Sequence, residues 1–182
     1  MNAQTAKKVI LVSGGSGGIG KCACAELAQR GHIVYELSRH GAAAGAVRHI
    51  TADVTDEVSL RAAVETVMRE QGRIDILINN AGFGISGAAE FTDIAQAQKQ
   101  LDVNFFGCVR LCHAALPYFR KQGYGRIVNV SSVAAMAPIP FQAFYSASKA
   151  AINSFSMALA NEVRRFGITV CAVMPGDIHT GF

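Results

Sequence analysis

Charged residues are scarce in this 182-residue chain: they make up 16% of it, whereas 51% of the residues are hydrophobic. This balance excludes a disordered chain or a coiled coil, and it is typical of a globular protein with a buried sheet. The formal net charge is only +4, and the lysines and arginines are scattered along the chain. A surface for nucleic acid is therefore not expected. The length indicates one domain, residues 1–182.

The chain also lacks a long apolar run. Two lysines precede the apolar residues Val9–Val12, but this stretch ends after four residues at SGG. It is too short for the hydrophobic segment of a signal peptide, and no other run approaches the length of a membrane span. These absences predict a cytoplasmic protein that has no membrane partner.

The five cysteines do not form a metal-binding pattern. Cys22 and Cys24 are two residues apart on a predicted helix and so point to different faces, whereas Cys108 and Cys112 are four apart and share a face. No second pair of cysteine or histidine residues completes a site. The sequence therefore predicts buried, reduced thiols and no metal.

Strand-like and helix-like segments alternate from end to end. Apolar runs predict six strands, at Lys8–Val12, His32–Leu37, Val47–Thr51, Ile74–Ile78, Arg126–Val130 and Ile168–Met174. Helical spacing predicts four helices, at Gly18–Arg30, Asp56–Glu70, Thr92–Arg120 and Phe141–Phe166. Pro117 should kink or loosen the third of them. This alternation predicts an α/β fold, a three-layer doubly wound parallel sheet in the strand order 3-2-1-4-5-6.

One predicted connection is unusually short. Only SRHGAAAGA separates the second strand from the third, and a parallel crossover usually needs a dozen residues or so. An abbreviated helix or a taut loop is expected there. No internal repeat, low-complexity segment or interdomain linker is present in the sequence.

A glycine-rich loop, SGGSGGIG at residues 13–20, follows the first predicted strand and opens the first helix. Its glycines fit three spacings: G-x-x-x-G-x-G at positions 14, 18 and 20, G-x-x-G-x-x-G at 14, 17 and 20, and G-x-G-x-x-G at 15, 17 and 20. Such a loop lets backbone N–H groups approach a pyrophosphate and directs the positive end of a helix toward it. The loop predicts a dinucleotide site, and its own spacing leaves all three patterns open.

The end of the second strand indicates which dinucleotide is bound. An acidic residue there usually binds the ribose 2′-hydroxyl of NAD. In this chain Glu36 is expected inside the strand, and the tip carries Ser38 and Arg39. A guanidinium binds phosphate oxygens in pairs and can stack on adenine. The sequence therefore favours NADP(H) over NAD(H), and the alternative is a solvated loop arginine.

The later part of the chain carries a hydroxyl, a phenol and an ammonium in a suggestive spacing. Tyr145 and Lys149 are four residues apart and share one face of a predicted helix, and Ser132 lies thirteen residues before the tyrosine. Ser132 lies just after the end of the fifth strand, and ligands of open α/β sheets bind at the carboxyl ends of the strands.

Carbonyl reduction needs a hydride donor and a proton donor. The ammonium of Lys149 favours the phenolate that the reverse reaction requires, which makes Tyr145 the predicted general acid and base. Ser132 is the predicted hydrogen-bond donor to the substrate oxygen, and Ser131 is the alternative hydroxyl.

Together these motifs resemble those of the short-chain dehydrogenase/reductase family, in its compact single-domain branch, over about residues 8–182. The resemblance implies a Rossmann fold and selects G-x-x-x-G-x-G as the phosphate loop. It implies that Asn104 completes a catalytic set by ordering a water next to Lys149, which would also hold the nicotinamide ribose. The implied cofactor contacts are Gly14, Ser16, Gly17, Gly18, Ile19, Gly20, Arg39, Asp53, Val54, Asn80, Ala81, Gly82, Tyr145, Lys149, Pro175, Gly176, Ile178 and Thr180.

The resemblance implies an oxidoreductase that transfers a hydride between NADP(H) and a carbonyl or secondary alcohol. The residues expected to flank the substrate are mainly apolar, namely Phe83, Ile85, Ser86, Met136, Ile139, Pro140 and Phe141. They favour a lipophilic small molecule and leave steroid-like, retinoid-like and oxoacyl-thioester substrates open. Two alternatives are a catalytically silent dinucleotide-binding scaffold and a sugar-nucleotide epimerase.

The resemblance also bears on assembly and on the edge of the sheet. The helices predicted at Thr92–Arg120 and Phe141–Phe166 resemble those through which family members pair, so a homodimer or homotetramer is expected. Family members usually continue past the segment that Pro175 and Gly176 begin, into a substrate-covering segment and a seventh strand. That strand is not expected within these 182 residues.

Overall fold

A computed structural model of the chain describes residues 6–178 and contains one six-stranded parallel sheet. The strands are β1 (Val9–Ser13), β2 (Ile33–Ser38), β3 (Val47–Thr51), β4 (Ile76–Asn79), β5 (Gly125–Val130) and β6 (Ile168–Val173). They lie in the order β3-β2-β1-β4-β5-β6, and every neighbouring pair is parallel. The predicted α/β fold and its strand order are therefore confirmed.

Five α-helices connect the strands over residues 6–178: α1 (Gly18–Gln29), α2 (Glu57–Gln71), α3 (Ile94–Leu101), α4 (Gly107–Gln122) and α5 (Ala143–Val163). Local chemistry sets several of their ends. Asp56 caps α2 because its side chain accepts a hydrogen bond from the Val58 N–H. Gly72 and Gly123 end α2 and α4 in the left-handed conformation that glycine adopts readily.

The two faces of the sheet pack against different helices. Along β1, Val9 and Leu11 contact a large apolar cluster, and Ile10 and Val12 contact a smaller one, because successive strand residues point to opposite faces. The large cluster includes fully buried side chains of α2, α4 and α5, and the small one includes Cys24 of α1. α4 and α5 therefore lie on the same face of the sheet.

The predicted helix Thr92–Arg120 differs from the observed structure. It is divided into α3 and α4 by a π-helical turn at Asp102–Phe106. α4 continues through Pro117 to Gln122, so the proline does not end the helix. Proline removes only one helical hydrogen bond, and the buried neighbours Leu116 and Phe119 hold this part of the helix against the core.

The connection between the second and third strands is short, as the sequence predicted. The segment between β2 and β3 is a loop, closed by reciprocal backbone hydrogen bonds between Ala44 and Val47, so the taut-loop alternative is the correct one.

The prediction of buried thiols holds for Cys24, Cys108 and Cys112 but fails for Cys22 and Cys171, which are exposed. Cys22 lies on the outer side of α1, and Cys171 lies on the uncovered face of the edge strand β6.

Within residues 6–178, no helix combines the length and the apolar character that a membrane crossing requires. Across the same residues, no group of three His, Cys, Asp or Glu side chains is placed to hold a metal ion.

Candidate active site

The glycine-rich loop lies at the carboxyl edge of the sheet, between β1 and α1. Gly14 and Gly18 have φ values of 68° and 50°, which side chains of other residues rarely tolerate. A Cβ at Gly20 would lie 3.0 Å from the carbonyl carbon of Gly14 and would overlap the amide of Asn80. Gly17 is extended and faces open space. The backbone therefore requires glycine at positions 14, 18 and 20, which is the G-x-x-x-G-x-G spacing.

The segment after β4 holds this loop in place. Asn80 Nδ2 donates to the carbonyl oxygens of Ser13 and Gly14, at 3.2 and 3.0 Å. The backbone N–H groups of Asn80 and Ala81 both donate to Ser13 Oγ, at 3.1 and 3.2 Å. The phosphate loop and the end of β4 thus form one hydrogen-bonded unit. Sequence reasoning missed Ser13, whose signal is a small hydroxyl directly before the first glycine of the loop.

The residues predicted to bind adenine and its ribose meet at the next strand ends. Asp53 Oδ1 accepts hydrogen bonds from the backbone N–H and the hydroxyl of Thr55, at 2.9 and 2.8 Å. The backbone hydrogen bond from Thr55 is the main cause that lowers the pKa of Asp53, and the positive charge of Arg39 contributes. Val54 follows β3 and packs against Gly107, where a Cβ would lie 2.9 Å from Val54 Cβ. The carboxyl edge of the sheet therefore carries three of the predicted cofactor residues at its β2–β3 end, namely Arg39, Asp53 and Val54.

Lys149 lies at the centre of the same edge. It is 4% exposed, and its Nζ donates to the carbonyl oxygen of Val130 at 2.9 Å. A Cβ at Gly82 would lie 3.6 Å from that Nζ, and the centroid of the Tyr145 ring is 5.7 Å from it. Burial lowers the pKa of Lys149 to about 8. The ammonium is thus enclosed by the ends of β4 and β5 and by the helix that carries Tyr145.

Asn104 connects the loop after β4 to the helix that carries Tyr145. Its Oδ1 accepts from the Phe83 N–H at 2.9 Å, and its Nδ2 donates to the Phe83 carbonyl at 2.9 Å and to Ser148 Oγ at 3.1 Å. Ser148 Oγ in turn donates to the carbonyl oxygen of Tyr145 at 2.7 Å. The side-chain amide of Asn104 is therefore a clamp between these two segments. It lies in the π-helical turn, a feature that is frequent at functional sites.

The two candidate serines after β5 have different surroundings. Ser131 Oγ donates to the carbonyl oxygen of Lys149 at 3.0 Å and is buried against α5. Ser132 Oγ accepts from the Ala134 N–H at 3.1 Å, beside the carboxyl end of β5. The hydroxyl of Ser131 thus has a structural partner in α5, which favours Ser132 as the group available to a substrate. Sequence analysis did not predict that Ser131 and Ser148 support α5, although Ser148 lies between Tyr145 and Lys149.

The segment after β6 reaches the same edge. The Val133 N–H donates to the carbonyl oxygen of Pro175 at 3.0 Å, which brings Pro175 and Gly176 beside the serine segment. Ile178 is exposed. Thr180, a predicted cofactor contact, lies outside the described residues.

The predicted substrate-flanking segments contact each other. The Gly87 N–H donates to the Phe141 carbonyl at 2.8 Å. Phe141 and Met136 are 66% and 74% exposed, so apolar side chains face outward beside the start of α5. Phe141 is also the single non-glycine residue with positive φ in the described part of the chain, at 65°. This conformation is rare for a bulky residue, and it explains why α5 begins at Ala143 rather than at the predicted Phe141.

A family model described as "short chain dehydrogenase" matches residues 8–182. The 3-ketodihydrosphingosine reductase of Bacteroides thetaiotaomicron is 49% identical over 176 residues, which are 96% of this chain and 65% of that protein. The NADPH-dependent 1-acyldihydroxyacetone phosphate reductase of Schizosaccharomyces pombe is 35% identical over 182 residues, 96% of this chain and 61% of that protein. The chain thus spans less than two thirds of the length of either relative.

A solved structure extends the similarity to three dimensions. The 3-ketoacyl-(acyl-carrier-protein) reductase of Brucella melitensis, complexed with NADH, superposes with a TM-score of 0.92 at 31% identity. The similarity covers 96% of this chain and 77% of that one. Family match, sequence identity and fold agree with one another. The chain belongs to the short-chain dehydrogenase family.

Proposed function

We propose that this chain transfers a hydride between NADP(H) and a carbonyl or secondary alcohol of a lipophilic substrate. The observation that supports this most strongly is the buried ammonium of Lys149, which lies beside Gly82 and Val130 and 5.7 Å from the ring centroid of Tyr145. A buried cation at the ligand edge of a Rossmann sheet costs stability and is expected where a site uses it.

The edge of the sheet fits a dinucleotide. Gly14, Gly18 and Gly20 keep the phosphate loop free of side chains, so that its N–H groups and the N-terminus of α1 can hold a pyrophosphate. When bound, the dinucleotide supplies or accepts the hydride. The remaining tasks, which are to position the substrate oxygen and to move its proton, belong to side chains of the chain.

Each catalytic side chain has a proposed role. Tyr145 donates a proton to the substrate oxygen in reduction and removes it in oxidation. Ser132 donates a hydrogen bond to the same oxygen and stabilises the charge that develops there. Lys149 holds ribose hydroxyls and favours the phenolate form of Tyr145. Asn104 positions the catalytic helix through its hydrogen bond to Ser148. We propose that Asn104 also orders a water molecule near Lys149.

The preference for NADP(H) depends on Arg39. The name of the yeast relative includes NADPH, whereas the Brucella structure contains NADH, so these names do not select one cofactor. Arg39 follows Ser38 at the tip of β2, and its charge acts on Asp53 at the adenine end of the site. A guanidinium in this place suits a 2′-phosphate.

Replacement of Arg39 by alanine should weaken NADPH binding by about 10- to 100-fold, because a charge-assisted hydrogen bond to phosphate contributes about 1.5–3 kcal/mol. The dissociation constant of NADH should change by less than about threefold. Isothermal titration calorimetry measures both constants. Arg30→Ala is the matched control, since Arg30 is an exposed arginine that pairs with Glu26 at the far end of α1. Tighter binding of NADH than NADPH by the unmodified chain would contradict the assignment.

The lipophilic substrate is proposed from the exposed apolar side chains of Met136, Ile139 and Phe141 beside the catalytic helix. The names of the bacterial and yeast relatives also include lipids, a ketosphingoid base and an acylated ketone phosphate. The test is NADPH oxidation with a panel that contains a long-chain 3-ketone, a steroid-like ketone, a retinoid-like aldehyde and an aldohexose. Turnover of an apolar carbonyl is expected. Binding of NADPH without any turnover would instead favour a silent dinucleotide-binding scaffold.

A homodimer or homotetramer is proposed from the face that α3 and α5 form. Ile94 and Phe106 are exposed there, beside a groove of about 430 Å³ whose lining is mostly apolar. The lining residues are Ile94, Ala97, Gln98, Leu101, Asp102, Phe106, Phe144 and Ala147. Light scattering at micromolar concentration should therefore give a mass of two or four chains, and a strictly monomeric species would contradict this. The cytoplasmic location stays a prediction.

A further inference from the structure

Glu36 is a buried acidic residue that the proposed catalysis does not use. Its side chain is 3% exposed, inside β2 as the sequence predicted. Oε1 accepts a hydrogen bond from Ser38 Oγ at 3.2 Å and also contacts His49 Nδ1 on β3. Oε2 is buried and has no hydrogen-bond partner within residues 6–178. A buried oxygen without a partner is costly, so its presence calls for an explanation.

The position of Glu36 links it to both parts of the proposed cofactor site. A Cβ at Gly15 of the phosphate loop would lie 2.5 Å from Glu36 Cβ and 3.3 Å from Oε2. A Cβ at Gly41, two residues after Arg39, would overlap Glu36 Oε1 and Ser38 Oγ. Glu36 therefore lies directly beneath the phosphate loop and the loop at the tip of β2, and both glycines are needed to make room for its contacts.

The hydrogen bond from Ser38 to Glu36 determines what Ser38 can offer to a ligand. A serine hydroxyl has one proton, and here that proton is donated to the carboxylate. Ser38 Oγ can then only accept a hydrogen bond from a group in the cofactor site. The 2′-hydroxyl of NAD(H) can donate such a bond, whereas a 2′-phosphate dianion offers acceptor oxygens only.

The charge of Glu36 acts in the same direction. A carboxylate beneath the ribose site repels a 2′-phosphate, because burial weakens the screening by solvent and salt and because the His49 imidazole that contacts Oε1 balances the charge only when it is protonated. Arg39 attracts the same phosphate from the exposed side of the tip. Glu36 thus disfavours NADP(H), whereas Arg39 favours it.

We propose that Glu36 is a positioning residue for cofactor specificity: it holds the Ser38 hydroxyl as an acceptor and places negative charge beneath the ribose site, and so it limits the preference for NADP(H) that Arg39 confers. This inference depends on the proposed binding of the adenosine ribose at the tip of β2. It predicts a chain that still binds NAD(H) appreciably.

The test is Glu36→Gln, which keeps the size of the side chain and one acceptor oxygen for Ser38 and removes the charge. Calorimetric dissociation constants should show that the ratio of the NADH constant to the NADPH constant rises by about tenfold. Glu26→Gln is the control, because it removes the same charge from the exposed surface of α1 and should leave the ratio within about twofold. A Glu36→Gln chain with an unchanged melting temperature and an unchanged ratio would overturn the proposal. Equal changes for both cofactors would overturn it too, since they would indicate a purely structural role.

Ser38→Ala provides a second, independent test should Glu36→Gln not fold. Loss of the acceptor should weaken NADH by about fivefold and leave NADPH within about twofold. No change in either constant would overturn the proposed action through Ser38.

Arg39→Ala separates this inference from the proposed function. If Arg39→Ala weakens NADPH while Glu36→Gln leaves the ratio unchanged, only the role of Glu36 is wrong; if Arg39→Ala has no effect, the assignment of Arg39 itself is wrong.

Discussion

Replacement of Tyr145 by phenylalanine should lower kcat by about 10²- to 10⁴-fold, the range that positioned proton transfer contributes to enzymatic reactions. The change removes only the phenolic oxygen, so the ring that stands 5.7 Å from the Lys149 ammonium is kept. The dissociation constant of NADPH should stay within about threefold, because the phosphate loop and the tip of β2 supply most of the proposed cofactor contacts. Steady-state kinetics with the best ketone of the panel, together with calorimetry, measure both quantities.

Tyr124→Phe is the matched control for this experiment. Tyr124 is exposed directly before β5, at the amino end of the sheet and away from the ligand edge, so loss of its hydroxyl should leave kcat unchanged. A Tyr145→Phe chain that keeps near-normal turnover would show that the proton is moved by another group. A chain that loses NADPH binding and turnover together would indicate that Tyr145 acts in binding instead.

Replacement of Lys149 by methionine should abolish turnover and yet make the folded chain more stable. Burial lowers the pKa of Lys149 from 10.5 to about 8. Below about pH 8 the folded chain must therefore carry a buried charge that the unfolded chain leaves in water. Methionine removes this penalty and also removes the Nζ–Val130 hydrogen bond. The net gain in the free energy of unfolding should be about 1–3 kcal/mol near neutral pH.

The stabilising effect of Lys149→Met should depend on pH. Between about pH 8 and 10.5 the unfolded chain binds more protons at this lysine than the folded chain does, so the free energy of unfolding of the unmodified protein rises with pH through this window. The advantage of Lys149→Met should shrink over the same window. Urea denaturation followed by circular dichroism measures it, with Lys121→Met as the exposed-lysine control. A less stable Lys149→Met chain, or an advantage that does not depend on pH, would contradict this account of the buried ammonium.

The fold and the helix that carries Tyr145 and Lys149 were accessible from the sequence because both depend on local periodicity. Apolar runs located all six strands to within about two residues, and the four-residue spacing of Tyr145 and Lys149 needs only a helix to bring both toward one side. The three possible glycine spacings could not be separated in the same way. The choice depends on the folded conformation of the loop, in which Gly18 has a positive φ whereas Gly17 is extended and faces open space.

The clamp formed by Asn104 and Ser148 shows where sequence reasoning stops. It depends on a π-helical turn at Asp102–Phe106, and no periodicity marks such a turn, because tertiary contacts with Phe83 and α5 stabilise it. The positive φ of Phe141 could not be predicted either, because the residues after it form a helix and suggest that Phe141 is helical too. In the structure the Phe141 carbonyl accepts a hydrogen bond from the Gly87 N–H instead. These features are decided by contacts between distant segments rather than by local preference.

The most direct test of the proposed chemistry is the fate of a labelled hydride. NADPH deuterated at both C4 positions is incubated with the chain and the carbonyl panel, and the alcohol products are examined by mass spectrometry. One deuterium should appear on the carbinol carbon of an apolar product, and the Tyr145→Phe chain should give almost none. If the chain binds NADPH while no product acquires deuterium, the hydride-transfer function is wrong.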